Sequence, residues 1–436
     1  MPRGIFWVEA AAAAKAPDAS LLRFTDGTAR LFMRHGDDPV EQVVPMVSST
    51  TRSIFTRTAI IRILVGWGAV AALMLAAPLL EPPVPTPLLI GALAVIIAVI
   101  LVCAFGVVHE AEHLARRLGD PYGSLVLTLS IVLIEVVLIS AVMLGPGEHA
   151  TIARDSVMAV SMIILNGVIG LSLLVGGLKH GSLRHNRTGT SAYLAMIIVL
   201  TSLAFALPAL IGVDGSYTTG QEIPIIVLSL GLYAFFLIRQ MGAQAGDFTE
   251  VDPRLFAPAE KSDGGASSGV DAPAPRQPIT AILAEHRTEV LLRLGVLVIT
   301  VLPIVLLAHD MATLLDDGLG RAGAPIALSG ILIAMIVFLP ETITTLRAAL
   351  AGEAQRVGNL CHGALVSTVG LTIPAVLLIG LFTGQTVTLA ESPSNLLLLG
   401  VTLLLSVTTF ATKKLTAMHG AAHLAVFAVY GLVVFS

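Results

Sequence analysis

Charge and cysteine are both scarce in this chain. Only 12% of its 436 residues are Asp, Glu, Lys or Arg, and 55% are hydrophobic. Soluble domains carry about 25% charged residues, so the composition excludes an ordinary soluble protein and predicts an integral membrane protein. The two cysteines, Cys103 and Cys361, lie in separate apolar stretches, which excludes a disulfide framework and a CxxC metal site.

Other absences narrow the function. The chain has no GxxxxGK[S/T] phosphate loop and no cofactor motif, so we expect neither enzyme activity nor a bound cofactor. The formal net charge of −4 gives no support for a nucleic-acid partner. The N-terminus lacks the charged-then-apolar pattern of a cleaved signal peptide, so we expect insertion through the first membrane helix.

Apolar runs of about 18 or more residues predict membrane-spanning helices. The sequence contains eleven such runs, so the predicted fold class is an all-α polytopic membrane protein in a lipid bilayer. The predicted spans are 59–80, 87–108, 123–144, 156–178, 190–212, 222–239, 289–309, 325–347, 359–383, 394–412 and 417–435.

One long polar stretch, rich in Pro, Gly, Ser and charge, separates the sixth span from the seventh. Its composition is typical of a disordered linker. The predicted units are an N-terminal cytoplasmic extension at 1–58, one extra membrane helix at 59–86, a first five-helix repeat at 87–239, a cytoplasmic linker at 240–288 and a second five-helix repeat at 289–436.

Lysine and arginine predict the orientation, because short cytoplasmic loops are enriched in them. The short loops assigned to the outside contain only Arg154 and Arg321. Those assigned to the cytoplasm contain Arg116, Arg117, Lys179, Arg184, Arg187, Arg347, Arg356, Lys413 and Lys414. We therefore expect a cytoplasmic N-terminus and an external C-terminus. Since each unit has five spans, the two units cross the membrane in opposite directions and form inverted repeats.

The second helix of each repeat carries a single glutamate near its middle, Glu135 in one and Glu341 in the other. A carboxylate at the middle of a bilayer costs a few kcal/mol, so it rarely persists without a functional use. Two carboxylates in matching positions of inverted repeats predict a cation site at the repeat interface. Carboxylates are the ligands that calcium prefers, and carbonyls, hydroxyls and water complete its shell.

Other polar side chains on the paired helices are candidates for the remaining ligands. They are Asn166, Asn359, Ser367, Thr128 and Ser130. Ordinary helix packing is the alternative role for each of them. Pro340, just before Glu341, frees a carbonyl of the preceding turn. His362 is a candidate proton relay, again with packing as the alternative.

The same pair of carboxylates predicts coupling to protons. Two carboxylates close together in a low dielectric favour the protonated form, because desolvation and like-charge repulsion both penalise the double negative charge. A cation restores the charged form, so cation and protons compete for one site. With alternating access, this competition gives antiport.

The segments around the two glutamates resemble a known family. The runs GDPYGSLVLTLSIVLIEV at 119–136 and RDSVMAVSMIILNGVIGLSLLVGG at 154–177 are similar to the first repeat of the bacterial ChaA-type antiporters. The run FLPETITTLRAALAGEAQRVGNLCHGALVSTVGLTIP at 338–374 is similar to their second repeat. These proteins belong to the calcium/cation antiporter superfamily.

The resemblance covers about 87–436. It implies a ten-helix inverted-repeat core with one extra N-terminal helix, in the bacterial inner membrane. It also implies export of Ca²⁺, Na⁺ or K⁺ in exchange for protons, with Glu135 and Glu341 as the ion-binding acids.

Two other functions are open to the same residues. A passive cation channel would use the carboxylates without proton coupling. The run from His109 to His113, with Glu110 between them, matches the HExxH pattern of zinc proteases, and Asp316 offers a further ligand for an intramembrane metalloprotease. The predicted orientation places the motif and Asp316 on opposite sides of the membrane, so we expect them to share no metal.

Overall fold

A computed structural model describes residues 7–8, 19–25, 28–35, 38–45, 54–118, 129, 132, 135–136, 139–140, 143, 150–251, 287–324 and 327–435. From residue 54 onwards the elements in this part of the chain are helices, and a small β-sheet precedes them. The prediction of an all-α membrane fold is confirmed for the membrane-crossing part.

The sheet lies within the predicted extension at 1–58. Its four strands, antiparallel and neighbours in chain order, are β1 Trp7–Val8, β2 Ala19–Thr25, β3 Thr28–His35 and β4 Asp38–Pro45. The sequence links β2 to β3 by Asp26-Gly27 and β3 to β4 by Gly36-Asp37, a composition that favours tight hairpins. Hydropathy did not predict this sheet, because it responds to long apolar runs and not to short strands.

Ten helices follow in the described chain. They are α1 Arg57–Ala76, α2 Thr86–Leu118, α3 Ile152–His180, α4 Arg187–Ile211, α5 Thr219–Met241, α6 Arg287–Arg321, α7 Ala327–Ala351, α8 Ala354–Thr383, α9 Pro393–Ala411 and α10 Ala417–Val434. Three of them contain one wider, π-helical segment each, α3 at Ile163–Val168, α4 at Ser202–Ala206 and α8 at Thr368–Thr372.

The span count can be compared with the eleven predicted. Nine of the described helices are long and apolar enough to cross a membrane, and α7 makes a tenth if its two parts, which meet at an angle of 50°, form one span. The remaining predicted span, 123–144, lies largely outside the described residues. It would supply the second helix of the first repeat.

The first residues of the stretch predicted as a linker, 240–251, are described and adjoin the helix bundle. Residues 252–286 lie outside the described residues, but α5 continues to Met241 and a 3₁₀ turn follows at Ala245–Phe248. Phe248 is only 2% exposed, and its ring packs against Tyr193 of α4 and Phe236 of α5. This aromatic cluster fixes the residues that follow α5 to the helix bundle.

Loop pairings relate the two repeats to each other. The loop between α3 and α4 pairs with the loop between α9 and α10, since Leu183 and Leu415 exchange both backbone hydrogen bonds. The loop between α8 and α9 pairs in turn with the loop between α4 and α5, through a bridge from Ser216 to Thr388. In each case a third-to-fourth-helix loop of one repeat meets a fourth-to-fifth-helix loop of the other. This is the pattern that inverted repeats produce.

The third helix of each repeat also packs on the fifth helix of the other, α3 on α10 and α8 on α5. The α3–α10 contact depends on glycine. A Cβ atom at Gly177 would overlap the backbone nitrogen of Ala417, and one at Gly420 would overlap the backbone of Leu174. Small residues let two membrane helices approach this closely, and the resulting van der Waals contact is a main source of helix association in lipid.

The extra helix α1 packs against α2 and α6. Pro303 has no N–H, so the carbonyl of Ile299 one turn earlier lacks its helical donor. The indole Nε1 of Trp67 in α1 donates to that carbonyl at 3.2 Å. Beside it, a Cβ at Gly66 would lie 2.9 Å from the Cys103 sulfur and 3.0 Å from the Pro303 Cβ. The proline therefore creates both an acceptor and a groove for α1.

The glycine contact gives a stability prediction. We expect Gly177→Ala to destabilise the protein by about 1–3 kcal/mol, because the methyl group forces α3 and α10 apart. The matched control is Gly400→Ala in α9, where a Cβ meets nothing within 4 Å and alanine improves helix propensity. Thermal unfolding in detergent measures both. Equal melting temperatures for the two variants would contradict the close packing.

Candidate cation site

Glu135 and Glu341 are buried in the helix bundle, 5% and 4% exposed. They come from different repeats and lie close enough to interact electrostatically. The structure therefore brings the two predicted acids into one neighbourhood.

The bend in α7 positions Glu341. The helical parts Gly330–Ile336 and Phe338–Ala351 meet at 50°, and Pro340 removes a helical donor at this point. Beyond the bend, two hydroxyl groups bond back to carbonyls one turn earlier in the helix: Thr342 donates to the Phe338 carbonyl at 2.9 Å and Thr344 to the Pro340 carbonyl at 3.1 Å. The proline expected from the sequence to open the helix next to the acid thus coincides with the bend.

Glu135 is held by a residue that the sequence analysis missed. The hydroxyl of Thr368 donates to Glu135 Oε2 at 2.5 Å. Thr368 is the first residue of the π-helical segment of α8, and such segments are frequent at functional sites. Thr368 directly follows Ser367, which the sequence analysis singles out, but only the fold shows that the Thr368 hydroxyl reaches Glu135.

Several oxygens of this neighbourhood have no hydrogen-bond partner in the described part of the chain. They are Glu135 Oε1, both carboxyl oxygens of Glu341, and the hydroxyls of Thr345 and Thr372. Thr345 lies one turn beyond Glu341 in α7, and Thr372 one turn beyond Thr368 in α8, so each shares a helix face with its neighbour. A buried polar atom without a partner is costly. Oxygen donors of this kind suit a hard cation.

Two predicted auxiliary ligands are engaged by other residues. By helical periodicity, Asn359 lies on the face of α8 opposite Thr368, whereas Ser367 lies about 100° from Thr368. The side chain of Asn359 is fully used there, because its Nδ2 donates to the Phe248 carbonyl at 2.7 Å and its Oδ1 accepts from Gln355. Ser367 accepts a hydrogen bond from the Tyr233 hydroxyl at 2.9 Å. Both side chains support the helix through these contacts, and their role as auxiliary ligands stays a prediction.

Asn166, in the π-helical segment of α3, is also engaged elsewhere. Its Nδ2 donates to Thr402 at 2.8 Å, so its Oδ1 faces His423 and accepts from the ring Nδ1 at 3.2 Å. This fixes the tautomer of His423, whose Nε2 lies 3.2 Å from the Thr409 hydroxyl. The network joins α3 to α9 and α10, in line with the packing alternative given for Asn166.

The remaining predicted site residues are Thr128, Ser130 and His362. Thr128 and Ser130 lie outside the described residues. His362 is completely buried, and neither of its ring nitrogens has a hydrogen-bond partner among the described residues. Its ring lies 4.7 Å from that of Phe410 and 6.0 Å from that of Tyr193, so aromatic contacts surround it. Its role as a proton relay stays a prediction.

A third buried acid, Glu391, differs from the pair. It lies in the loop between α8 and α9, where burial raises the pKa of its carboxyl group. Its Oε2 accepts from the Ser392 backbone at 3.0 Å and from Asn395 at 2.9 Å, and its Oε1 lies 4.0 Å from Arg154. Glu391 therefore has donors and a counter-charge that anchor the start of α9, whereas Glu341 has no such partners in the described chain.

The HExxH pattern is part of an ion-paired helix contact. Glu110 pairs with Arg293 of α6 at 2.7 Å, and both residues are buried. At the far end of the same antiparallel contact, Asp317, next to Asp316, accepts from the Val84 backbone. At 1.5 Å per residue, the 24 residues of α2 from Thr86 to Glu110 span about 36 Å. The motif and Asp316 cannot share a metal, and no group of three or more His, Cys, Asp or Glu elsewhere in the described chain could hold one.

Comparisons with known proteins agree with this architecture. A model of the family described as sodium/calcium exchanger protein matches residues 88–242 and 291–436. The sodium-potassium/proton antiporter ChaA of Escherichia coli (strain K12) is 33% identical over 338 residues, which are 77% of this chain and 87% of that protein.

Solved structures show the same fold at low sequence identity. The H⁺/Ca²⁺ exchanger CAX superposes with a TM-score of 0.56 at 13% identity, covering 86% of this chain and 89% of that one. The sodium-calcium exchanger NCX_Mj superposes with a TM-score of 0.52 at 15% identity, covering 80% and 99%.

The ion pair between α2 and α6 gives a second stability prediction. Arg293→Met leaves the Glu110 carboxylate buried without its partner, which costs about 3–5 kcal/mol. The double variant Glu110→Gln with Arg293→Met removes both charges, so we expect it to be more stable than Arg293→Met alone. Melting temperatures in detergent compare the two variants. A double variant less stable than the single one would contradict a paired structural role for Glu110.

Proposed function

The chain belongs to the sodium/calcium exchanger protein family, and on that premise we propose that it is a secondary active antiporter that exports a cation in exchange for protons. Glu135 and Glu341 are the proposed binding groups for both. The observation that carries this proposal is the burial of one acid from each repeat within electrostatic range of the other, with three of their four oxygens free of hydrogen-bond partners in the described chain.

Charge balance supplies the coupling. Two adjacent carboxylates cannot both stay ionised in a low-dielectric site without compensation. A bound cation compensates them, and so do protons, but the two cannot do so together. The site can change its access from one side of the membrane to the other when a cation or protons neutralise the pair. It cannot do so when both carboxylates are ionised and uncompensated. Transport in one direction therefore requires protons to move in the other.

The inverted repeats supply the access on both sides. The loop pairs Leu183–Leu415 and Ser216–Thr388 tie the repeats together in equivalent ways at opposite ends of the bundle. Two symmetric halves can exchange conformations about a site that lies between them, which is the usual basis of alternating access in such folds. The lysine and arginine distribution supports an N-terminus in the cytoplasm and a C-terminus outside. The similarity to a bacterial antiporter supports a bacterial inner membrane as the location.

Calcium is the first cation we propose, with sodium and potassium as alternatives. Carboxylate and hydroxyl oxygens bind all three, and the related proteins are named as exchangers of different ions: sodium and potassium for ChaA, calcium for CAX, and sodium and calcium for NCX_Mj. Selectivity has to be measured directly. Protons and inorganic cations are then the transported partners, and no cofactor takes part.

The first test is proton movement in sealed vesicles that carry an imposed pH gradient. Calcium, sodium and potassium are added separately to the wild type, and we expect at least one of them to collapse the gradient. Glu135→Gln and Glu341→Gln should each reduce the exchange by more than about tenfold, because a lost carboxylate removes at least ~1.4 kcal/mol of cation binding.

The control is Glu222→Gln at the start of α5, a half-buried glutamate outside the pair. It should exchange like the wild type. Full proton-coupled exchange in Glu135→Gln or Glu341→Gln would contradict the proposed site. Cation currents that persist without a proton gradient would favour a passive channel instead.

Competition for one site also predicts a pH dependence. The KM for the transported cation should fall as the pH rises on the side from which it binds, by up to about tenfold per pH unit for each displaced proton. The maximal rate measured at saturating cation should change less. Initial exchange rates across a series of pH values test this, and a KM independent of pH would contradict competition.

A further inference from the structure

The π-helical segment of α8 is held from both sides. On the face turned towards α5, the buried Tyr233 donates its hydroxyl to Ser367 Oγ at 2.9 Å. On an adjacent face, the next residue, Thr368, donates to Glu135 Oε2. A single peptide unit therefore separates the residue fixed by Tyr233 from the residue that contacts the acid.

The Tyr233 ring makes a second contact with the same segment. A Cβ at Gly370 would lie 3.0–3.1 Å from three atoms of the Tyr233 side chain, so only glycine lets the ring lie this close to α8. Tyr233 therefore contacts the segment at two points, Ser367 and Gly370. Together these contacts set the position of the backbone that carries Thr368.

The first repeat has a similar arrangement on its own third helix. His423 of α10 lies against Gly170 of α3, where a Cβ would be 3.1 Å from the His423 Cβ, and its ring is hydrogen-bonded to Asn166. When Gly170 of α3 is aligned with Gly370 of α8, however, the residue that corresponds to Thr368 is Val168, which has no hydroxyl. Of these two contacts, the one made by Tyr233 is connected to an acid of the pair within the described residues.

We propose that Tyr233 is a positioning residue for the cation site, acting through Ser367 and Thr368 to keep a hydroxyl donor on Glu135. This inference rests on the proposed antiport. A donor on a carboxylate oxygen stabilises its ionised form, which is the form that binds a cation. When Tyr233 no longer holds the segment, Thr368 loses its alignment, Glu135 keeps its proton more readily and the cation competes less well.

The test compares Tyr233→Phe with Thr368→Val and with their double variant. Tyr233→Phe removes one oxygen and keeps the ring against Gly370. We expect it to raise the cation KM by about three- to tenfold, the effect of one hydrogen bond, with the largest rise at acidic pH. The maximal rate at alkaline pH should stay near the wild-type value, which a general loss of folding would not allow.

The double variant shows whether Tyr233 acts through Thr368. If it does, Tyr233→Phe has little further effect once Thr368 is valine, and the two effects are not additive. The matched control is Tyr430→Phe in α10, which removes the hydroxyl of another buried tyrosine away from α8. Additive effects, or a Tyr233→Phe variant with an unchanged profile of KM against pH, would overturn the proposal.

A second readout does not depend on transport. Infrared spectroscopy of the purified protein follows the carboxylic C=O band of Glu135, assigned by its loss in Glu135→Gln. We expect the titration midpoint of this band to move to more alkaline pH in both Tyr233→Phe and Thr368→Val but not in Tyr430→Phe. A shift in Thr368→Val alone refutes the role of Tyr233. A wild type that exchanges no cation for protons, yet shows these shifts, refutes the antiport and leaves the positioning of Glu135 supported.

Discussion

One electrostatic constraint governs the proposed site: the cost of burying two carboxylates in the same neighbourhood of a membrane protein. Glu135 and Glu341 are both buried, and Glu341 has no hydrogen-bond partner in the described chain. Other buried charges here are compensated within the protein: Glu110 by Arg293, and Glu391 by two donors with Arg154 close by. Within the described residues the pair is the exception. A cation and protons are the two species that suit its compensation in the proposed function.

The symmetry of the fold brings the two acids into the same neighbourhood. Each repeat contributes one acid, and the third helix of each repeat packs against the fifth helix of the other. Both third helices contain a π-helical segment, and a polar side chain of the opposing fifth helix is hydrogen-bonded at each. His423 bonds to Asn166 within the segment of α3. Tyr233 bonds to Ser367, the residue just before the segment of α8. The symmetry is incomplete at Thr368, which makes the surroundings of Glu135 and Glu341 unequal.

Much of this architecture could be predicted from the sequence, because long apolar runs and isolated acids are strong signals. The roles of Asn166, Asn359 and Ser367 could not be predicted, since a polar residue in a membrane helix has the same sequence signature whether it faces an ion or a neighbouring helix. A shift of one residue separates Ser367, which supports the helix, from Thr368, which contacts the acid. The small sheet formed by β1–β4 and the packing of Phe248 were missed because neither leaves a long apolar run.

Proton release on cation binding tests the central claim most directly. Purified protein in weakly buffered detergent solution is mixed with calcium, sodium or potassium, and a pH indicator records the protons set free. The account predicts that at least one cation releases protons from the wild type, and that the double variant Glu135→Gln with Glu341→Gln releases none. Saturable cation binding without proton release would contradict the claim that both occupy the same pair of carboxylates.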